Sequence, residues 1–387
     1  MPSRLDRRLA FSLPAAFCLA VAATGAGSDW PQFLGPHRDG TTADARLTEG
    51  WRRGDLRTVF RTTVGEGYSG VAVAGGRLFG MEKVDADERV FARSASDGSV
   101  LWTVATGPSP SDVYGGLGPR GTPTVSGDRV VVVSAEGDLL ALDAASGLIA
   151  WRRSLARDLG WRPPAEGTAS SPLVADGRVY VVNGGSGGRA LAALDRETGR
   201  TLWTSQDDRP SYASPVRWDT DGVAQVLFLA GSRLFAVDPA DGRALWTYPW
   251  ATYDFVNAAT PLVLPPDRVF ISSGYDQGAA LLRIRGGGEG GLKVEEVWRT
   301  REMRNHFNNS VHVDGVLFGF DNALLTAIDV ETGRRLWRER GFGKGSLVRA
   351  GRDLVVLSEE GELALLEPGR DRARVVRRQA VLDGRTW

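Results

Sequence analysis

The chain has 387 residues, of which 42 % are hydrophobic and 24 % charged, with 47 basic and 47 acidic side chains. That supplies enough apolar residues for a buried core, while the charge balance offers no field for nucleic acid or an anionic membrane. Its 49 glycines and 12 tryptophans exclude a helical bundle, because helix interiors do not carry so much glycine.

Residues 1–27 read as a cleaved signal peptide. Arg4, Arg7 and Arg8 precede an apolar run over 9–23 that contains Pro14, and small residues follow. The expected location is therefore periplasmic or secreted. The only cysteine, Cys18, lies inside that run behind Phe17, where lipid attachment wants a small residue, so no lipid anchor is expected. The mature chain would then have no cysteine, which excludes disulfides, thiolate metal sites and cysteine nucleophiles. No other stretch is apolar enough to span a membrane. Residues 28–56 read as an N-terminal extension and 57–387 as one repeat domain.

From there an eleven-residue pattern recurs: Ala, then Asp two on, Gly four further and Trp four further. It stands at 141–151, 193–203, 236–246 and 327–337, with a weaker copy at 92–102 (Ser94 in the Asp place) and a distorted one ending at Trp298 behind the glycine-rich turn 286–291. Phe60 and Val376 hold the Trp place at the two ends. Between copies a hydroxyl residue recurs, often before proline: Ser69, Thr122, Ser171, Ser214, Thr260, Ser310, Ser346 and Thr386. Each unit reads as four short β-branched strands joined by Gly and Asp turns, which accounts for the glycine excess. Such a repeat predicts an all-β fold, a β-propeller of four-stranded antiparallel blades.

Seven hydroxyl marks are followed by a matching strand end; Thr386 is not, and Phe60 is an end without a mark. A ring closed by its first strand would account for both, with 57–63 as outer strand and residues after 385 as inner strand of the last blade. The expectation is an eight-bladed propeller whose last blade is incomplete, short of about 20 residues of middle strand and so truncated at the C-terminus. The alternative is a seven-bladed ring.

The pattern A-x-D-x-x-[ST]-G-x-x-x-W resembles the PQQ-type repeat of quinoprotein dehydrogenases and of BamB-like propellers. The segments WPQFLGPHRDG (30–40), FVNAATPLV (255–263), NHFNNSVHVDGVLFGF (305–320) and GFGKGSLVRAG (341–351) resemble secreted bacterial PQQ-binding-like β-propeller repeat proteins. The resemblance implies that Trp102, Trp151, Trp203, Trp246, Trp298 and Trp337 pack between blades, each with the glycine four residues earlier beneath it. It also raises pyrroloquinoline quinone (PQQ) with Ca²⁺ as a cofactor. The family's enzymes carry adjacent cysteines beside the quinone and are much longer, so no cofactor is expected here, and PQQ rests on resemblance alone.

Other chemical motifs fail on context. Gly184–Gly188 matches G-x-S-x-G but leads into a strand rather than a helix. Three histidines, His37, His306 and His312, are too few for a His metal cluster. No acidic cluster has metal-ligand spacing, so no metal and no catalytic residue are assigned. Residues just before the hydroxyl marks should meet near the axis at one end of the ring. These are Tyr68, Arg120, Tyr212, Asn257, Asn308, Asn309 and Lys344, with Tyr253, Asp254, Asn305 and His306 in the preceding loops. They are the candidate ligand-binding residues, and Arg120 and Lys344 would suit a small anionic ligand. The expected function is a non-catalytic periplasmic or secreted scaffold. It would bind a protein or peptide of the cell envelope through its rim loops, with outer-membrane protein assembly as the analogy. The alternative is a PQQ-binding protein or oxidoreductase of the quinoprotein type.

Overall fold

The computed structural model describes residues 29–110, 116–161, 164–286 and 291–386. The expected signal peptide with Cys18, most of the glycine-rich turn 286–291 and Trp387 lie outside the described residues. Seven four-stranded antiparallel units follow one another along the chain, each paired in sequence order. Blade one comprises Ala72–Ala74, Arg77–Val84, Asp87–Ser94 and Val100–Pro108. Blades two to six span 124–154, 173–205, 216–249, 262–300 and 311–339, and blade seven spans 346–380. In every blade the first strand is inner and the last is outer. The middle strands are the most buried because both their faces meet neighbouring blades; Val130, Val132, Leu140 and Leu142 of blade two have no exposed surface. Among the described residues, six hydrophobic clusters each join two consecutive blades, from one-two through six-seven. The BamB-like propeller expected from the repeat is the fold observed.

The repeat has a physical reason at each of its marked positions. The Asp closes the turn after the third strand: Asp195 Oδ1 accepts from the Thr198 amide at 2.8 Å and from the Thr198 hydroxyl at 2.7 Å. Asp143 and Asp329 do the same with Ser146 and Thr332. These bonds hold the Asp143 and Asp195 carboxyls below the ordinary aspartate range. Asp329 is held low as well, first by the Arg370 guanidinium and then by Thr332. The Trp then lies across the joint to the next blade. Trp102, Trp151, Trp203 and Trp298 each donate their indole N–H to the carbonyl just after the next blade's repeat Asp, at Ala144, Arg196, Pro239 and Val330. Trp337 donates to Gly369 at 2.9 Å. The glycine beneath Trp102, Trp151, Trp203 and Trp298 is not the one four residues earlier, as the resemblance implied, but the next blade's. A Cβ on Gly147 would stand 2.7 Å from the Trp102 ring, and one on Gly199 2.6 Å from Trp151. The outer-strand Trp faces forward, so it can only reach its successor's turn. Trp246 departs from the set because blade five has a long third-to-fourth-strand hairpin; its N–H bonds Gln225 Oε1 at 2.8 Å within blade four.

Three of the hydroxyl marks, Ser171, Ser214 and Thr260, share one use. The Thr122 amide donates to Ser171 Oγ, the Ser171 amide to Ser214 Oγ and the Ser214 amide to Thr260 Oγ1, so the inner strand starts of blades two to five are tied in series. Thr386 does otherwise: its hydroxyl and amide bond the Ser358 and Glu359 carbonyls, capping a turn of blade seven.

The segment read as an extension is woven through the ring. Trp30 pairs with Val73 of blade one, and Pro31 accepts from the Val125 amide of blade two. Gly40 approaches Val311 of blade six, and Thr41–Thr42 runs parallel to Arg349 and Ala350 on the inner strand of blade seven. Residues 30–42 therefore cross the channel from the first blade to the last. A helix, Arg46–Arg53, follows; it buries Trp51 and sets Arg52 against Asp353 and Glu367 of blade seven, both at 2.6 Å. Beyond it, Leu56 exchanges two bonds with the Gln379 side chain, and Arg61 meets Asp383 and the Val381 carbonyl. Residues 57–63, the expected outer strand of an eighth blade, join no ladder among the described residues. Phe60 nevertheless covers Gly98 of blade one, where an added Cβ would lie 2.5 Å from its ring. Phe60 thus fills the Trp place of a joint that precedes blade one.

Candidate functional site

The residues ahead of the inner strands form two arcs at one end of the ring. The first lies over blades one to four. Arg120 is half-buried, stands over the Tyr68 ring at 5.1 Å and donates to the Gly116 and Gly118 carbonyls. Burial pulls its guanidinium pKa down, against the attraction of Tyr68, Glu166 and Glu88. The Tyr212 hydroxyl donates to Glu166. Glu88 is wholly buried and accepts from the Ala135 amide at 2.9 Å; burial pushes its carboxyl up to about 7. Glu88 and Glu166 were missed in the sequence because neither sits at a repeat mark. Glu166 does stand five residues before Ser171, within the loop that precedes an inner strand.

The second arc lies over blades five to seven. Lys344 Nζ stands 3.2 Å from His306 Nδ1 and over the Phe307 ring at 5.4 Å. His306 stacks on Phe307 with centroids 3.7 Å apart and meets the edge of Tyr275 at 5.0 Å. Burial, and then the Lys344 charge, pull its imidazole down to about 4, so it is neutral at physiological pH. A neutral ring accepting from an ammonium is a donor at its other nitrogen. Tyr275 and Phe307 had no signal in the sequence, since lone aromatics in loops carry no period.

The asparagines are a different matter. Asn257 is fully buried; its amide N–H₂ donates to the Ala230 and Gly231 carbonyls, and its oxygen accepts from Ser273 Oγ at 2.7 Å. Asn305 bonds Phe320 O and Ser310 Oγ, Asn308 bonds Gly345 O, and Asn309 accepts from the Thr260 amide. These side chains join strand to strand and blade to blade, and their polar atoms are already engaged. Tyr253 and Asp254 project into solvent from the loop ahead of Asn257. Exposed rings therefore mark this end: Tyr68, Tyr253, Tyr275 and Phe307.

Below, the channel is filled by Arg38. Its Nη atoms donate to the Ser171, Pro172 and Pro215 carbonyls and to Thr124 Oγ1, and its Nε to Gln32 at 2.8 Å, so three blades converge on one side chain. Burial alone lowers its guanidinium to about 9. Beside it a cavity of about 450 Å³ opens between 32–39 and the inner strands of blades three to five. A planar quinone with a metal ion on the axis does not fit these residues. The inner strand starts of blades two to four hold Arg38, and the asparagine amides that could ligate a cation are bonded elsewhere. Among the described residues there is no group of three or more His, Cys, Asp or Glu placed to hold a metal, and no helix long and apolar enough to cross a membrane.

These joints and strand-end hydroxyls define a β-propeller of PQQ-type repeats. The family described as "Outer membrane protein assembly factor BamB" matches over residues 43–159 and 86–339, and the chain belongs to that family. The outer membrane protein assembly factor BamB of Yersinia pestis is 26 % identical over 289 residues, 70 % of this chain and 68 % of that one. A polyvinylalcohol dehydrogenase of Sphingopyxis is 32 % identical over 155 residues, covering 33 % of this chain and 22 % of the enzyme. The crystal structure of BamB from Moraxella catarrhalis superposes with a TM-score of 0.58 at 18 % identity, over 82 % of this chain and 88 % of that one, a likeness of fold.

Proposed function

We propose that the protein is a non-catalytic scaffold of the cell envelope, exported by its leader, that holds a protein partner against the loop end of the ring. The observation that carries this is the composition of that end. Its asparagines are used inside the fold, while Tyr68, Tyr253, Tyr275 and Phe307 stay exposed beside Arg120 and Lys344. Exposed aromatics beside cations are the composition of protein-binding surfaces rather than of a closed reaction chamber. Membership of a family named for outer-membrane protein assembly supports a role of that kind, with a protein rather than a small molecule as ligand.

The test is co-purification from a cross-linked envelope fraction. A Tyr253→Ala, Phe307→Ala double variant should lose the partner while melting as the parent does; a partner retained in full would overturn the assignment to this end. The match to polyvinylalcohol dehydrogenase keeps the quinone reading open to a direct check. Titration with PQQ, with and without Ca²⁺, should give no saturable change in quinone absorbance. Saturable binding lost in Arg120→Ala or Lys344→Ala would establish the quinone instead.

A further inference from the structure

The inner strands turn backbone amides toward the channel, and the crossing segment bonds only some of them. The Val73, Val125 and Arg349 amides of blades one, two and seven donate to the Trp30, Pro31 and Gly40 carbonyls, at 2.8, 2.7 and 2.8 Å. Blades three to five repeat that register. Ala175 and Thr220 close two-residue turns with Arg178 and Val223, as Ser126 does with Arg129. Alternation along the strand then turns the Val174 and Arg217 amides inward. Val263 holds the same place, three residues after its hydroxyl mark Thr260. All three residues line the cavity of about 450 Å³ between these blades and residues 32–39. Among the described residues no acceptor is bonded to their amides.

Arg38 lines the same cavity, and its buried charge has no counter-charge. Each of its acceptors, on Gln32, Ser171, Pro172, Pro215 and Thr124, is neutral. Its φ of 54° is a left-handed conformation that arginine seldom adopts, so the fold holds this charge inward at some strain. Arg217 is already paired, with Asp176 at 2.7 Å and Asp219 at 2.9 Å. Asp39, the one acid on the wall, bonds the Thr41 amide and hydroxyl instead, both at 2.9 Å.

We propose that this cavity binds a small aliphatic carboxylate. Backbone amides that converge beside a buried cation make a site for an anion. Bonds from amides to a carboxylate are stronger than neutral ones, and burial leaves the attraction of Arg38 poorly screened. One uncompensated charge matches a monoanion, and Leu173, Val216, Val263 and Pro265 offer walls for an aliphatic body. The site lies farther along the inner strands than the loop end and does not rest on the scaffold reading.

The test is calorimetry on the full-length protein with hexanoate as probe. Saturable binding is expected. Hexanamide, with the same body and no charge, should bind at least tenfold more weakly, and so should inorganic phosphate. In amide-resolved NMR the largest shifts on adding hexanoate should fall at Val174, Arg217 and Val263. Val174→Pro removes one inward N–H from a strand edge where proline is tolerated and should weaken binding at least fivefold. If that variant does not fold, the amide shifts and the neutral isostere decide on the parent protein. Arg120→Ala and Lys344→Ala, at the loop end, should leave hexanoate binding unchanged. No binding, equal binding of hexanamide or phosphate, or largest shifts elsewhere would overturn the proposal. So would binding lost in Arg120→Ala or Lys344→Ala and kept in Val174→Pro, which would move the anion to the loop end.

Discussion

Two kinds of joint hold this ring together. At four joints between consecutive blades one device repeats: Trp102, Trp151, Trp203 or Trp298 on the outer strand lies over the next blade's glycine and donates to the carbonyl after the next blade's Asp. Between blade seven and blade one, the same place holds Phe60, which covers Gly98 but has no N–H to donate. That joint is made up by unlike parts: the parallel pairing of Thr41–Thr42, the Arg46–Arg53 helix and ion pairs of Arg52 and Arg61. The contrast shows that the repeat joins consecutive blades with apolar contacts, while the seventh and first blades are linked through residues 41–61, by charge and by one Phe ring.

The largest expected effect comes from removing a repeat joint. Trp203→Ala should destabilise by about 3–5 kcal/mol, since the ring fills a cluster shared by blades three and four. Chemical denaturation measures it, and a loss under about 1 kcal/mol would show that the repeat Trp is not the joint. Next is Arg38→Ala, which takes the guanidinium donor from the Ser171 and Pro215 carbonyls and from Thr124 Oγ1, and leaves the Pro172 carbonyl with Thr124 alone. A loss of about 3 kcal/mol is expected, with faster hydrogen exchange at the inner strands of blades two, three and four. Unchanged exchange there would mean that the crossing segment is merely draped over the channel. Gly199→Ala comes third, at about 2 kcal/mol, because the residue has φ of 67° and its Cβ would press on Trp151. The comparison control is Gly177→Ala, which shares the positive φ but meets nothing, so the difference between them isolates the ring contact.

Acid should separate the two kinds of joint. Glu367 is held below the ordinary glutamate range, first by Arg52 and then by Arg374. A depressed carboxyl contributes stability above its unfolded pKa and loses it as pH falls through the folded one. Protection of the 46–56 amides, relative to their intrinsic exchange rates, should therefore fall as pH is lowered below about 4.5, ahead of that of the amides in blades three and four. Simultaneous loosening would erase the distinction. The smallest effect is a gain. Phe60→Trp supplies the missing N–H toward the carbonyl of Ala95, the residue after Ser94, and should stabilise by about 0.5–1 kcal/mol. Any destabilisation would show that this joint has a shape of its own.

The loop-end residues were only half legible for a related reason. Position relative to the hydroxyl marks located Tyr68, Arg120, Tyr212 and Lys344, because strand starts share one radius. It could not show that Asn257 and Asn305 would turn inward and bond neighbouring carbonyls and hydroxyls, since those partners lie on other strands, tens of residues away in some cases and five in another. Nor could it find Glu88, Tyr275 or Phe307, which stand outside the repeat's marked positions.

The amino-acid sequence by itself determined the blade: the Asp-to-Gly turn, the alternating strands and the Trp on the fourth strand of blades one to six are contacts within or one blade beyond a unit, so they recur with its period. The identity of the glycine under each Trp, the engagement of the asparagines and the course of residues 30–42 were decided only in the folded ring. Both candidate glycines are periodic, so the period alone could not choose between them; the other contacts are made once, as those of Arg38 with Ser171 and Pro215 are, and leave no period to read.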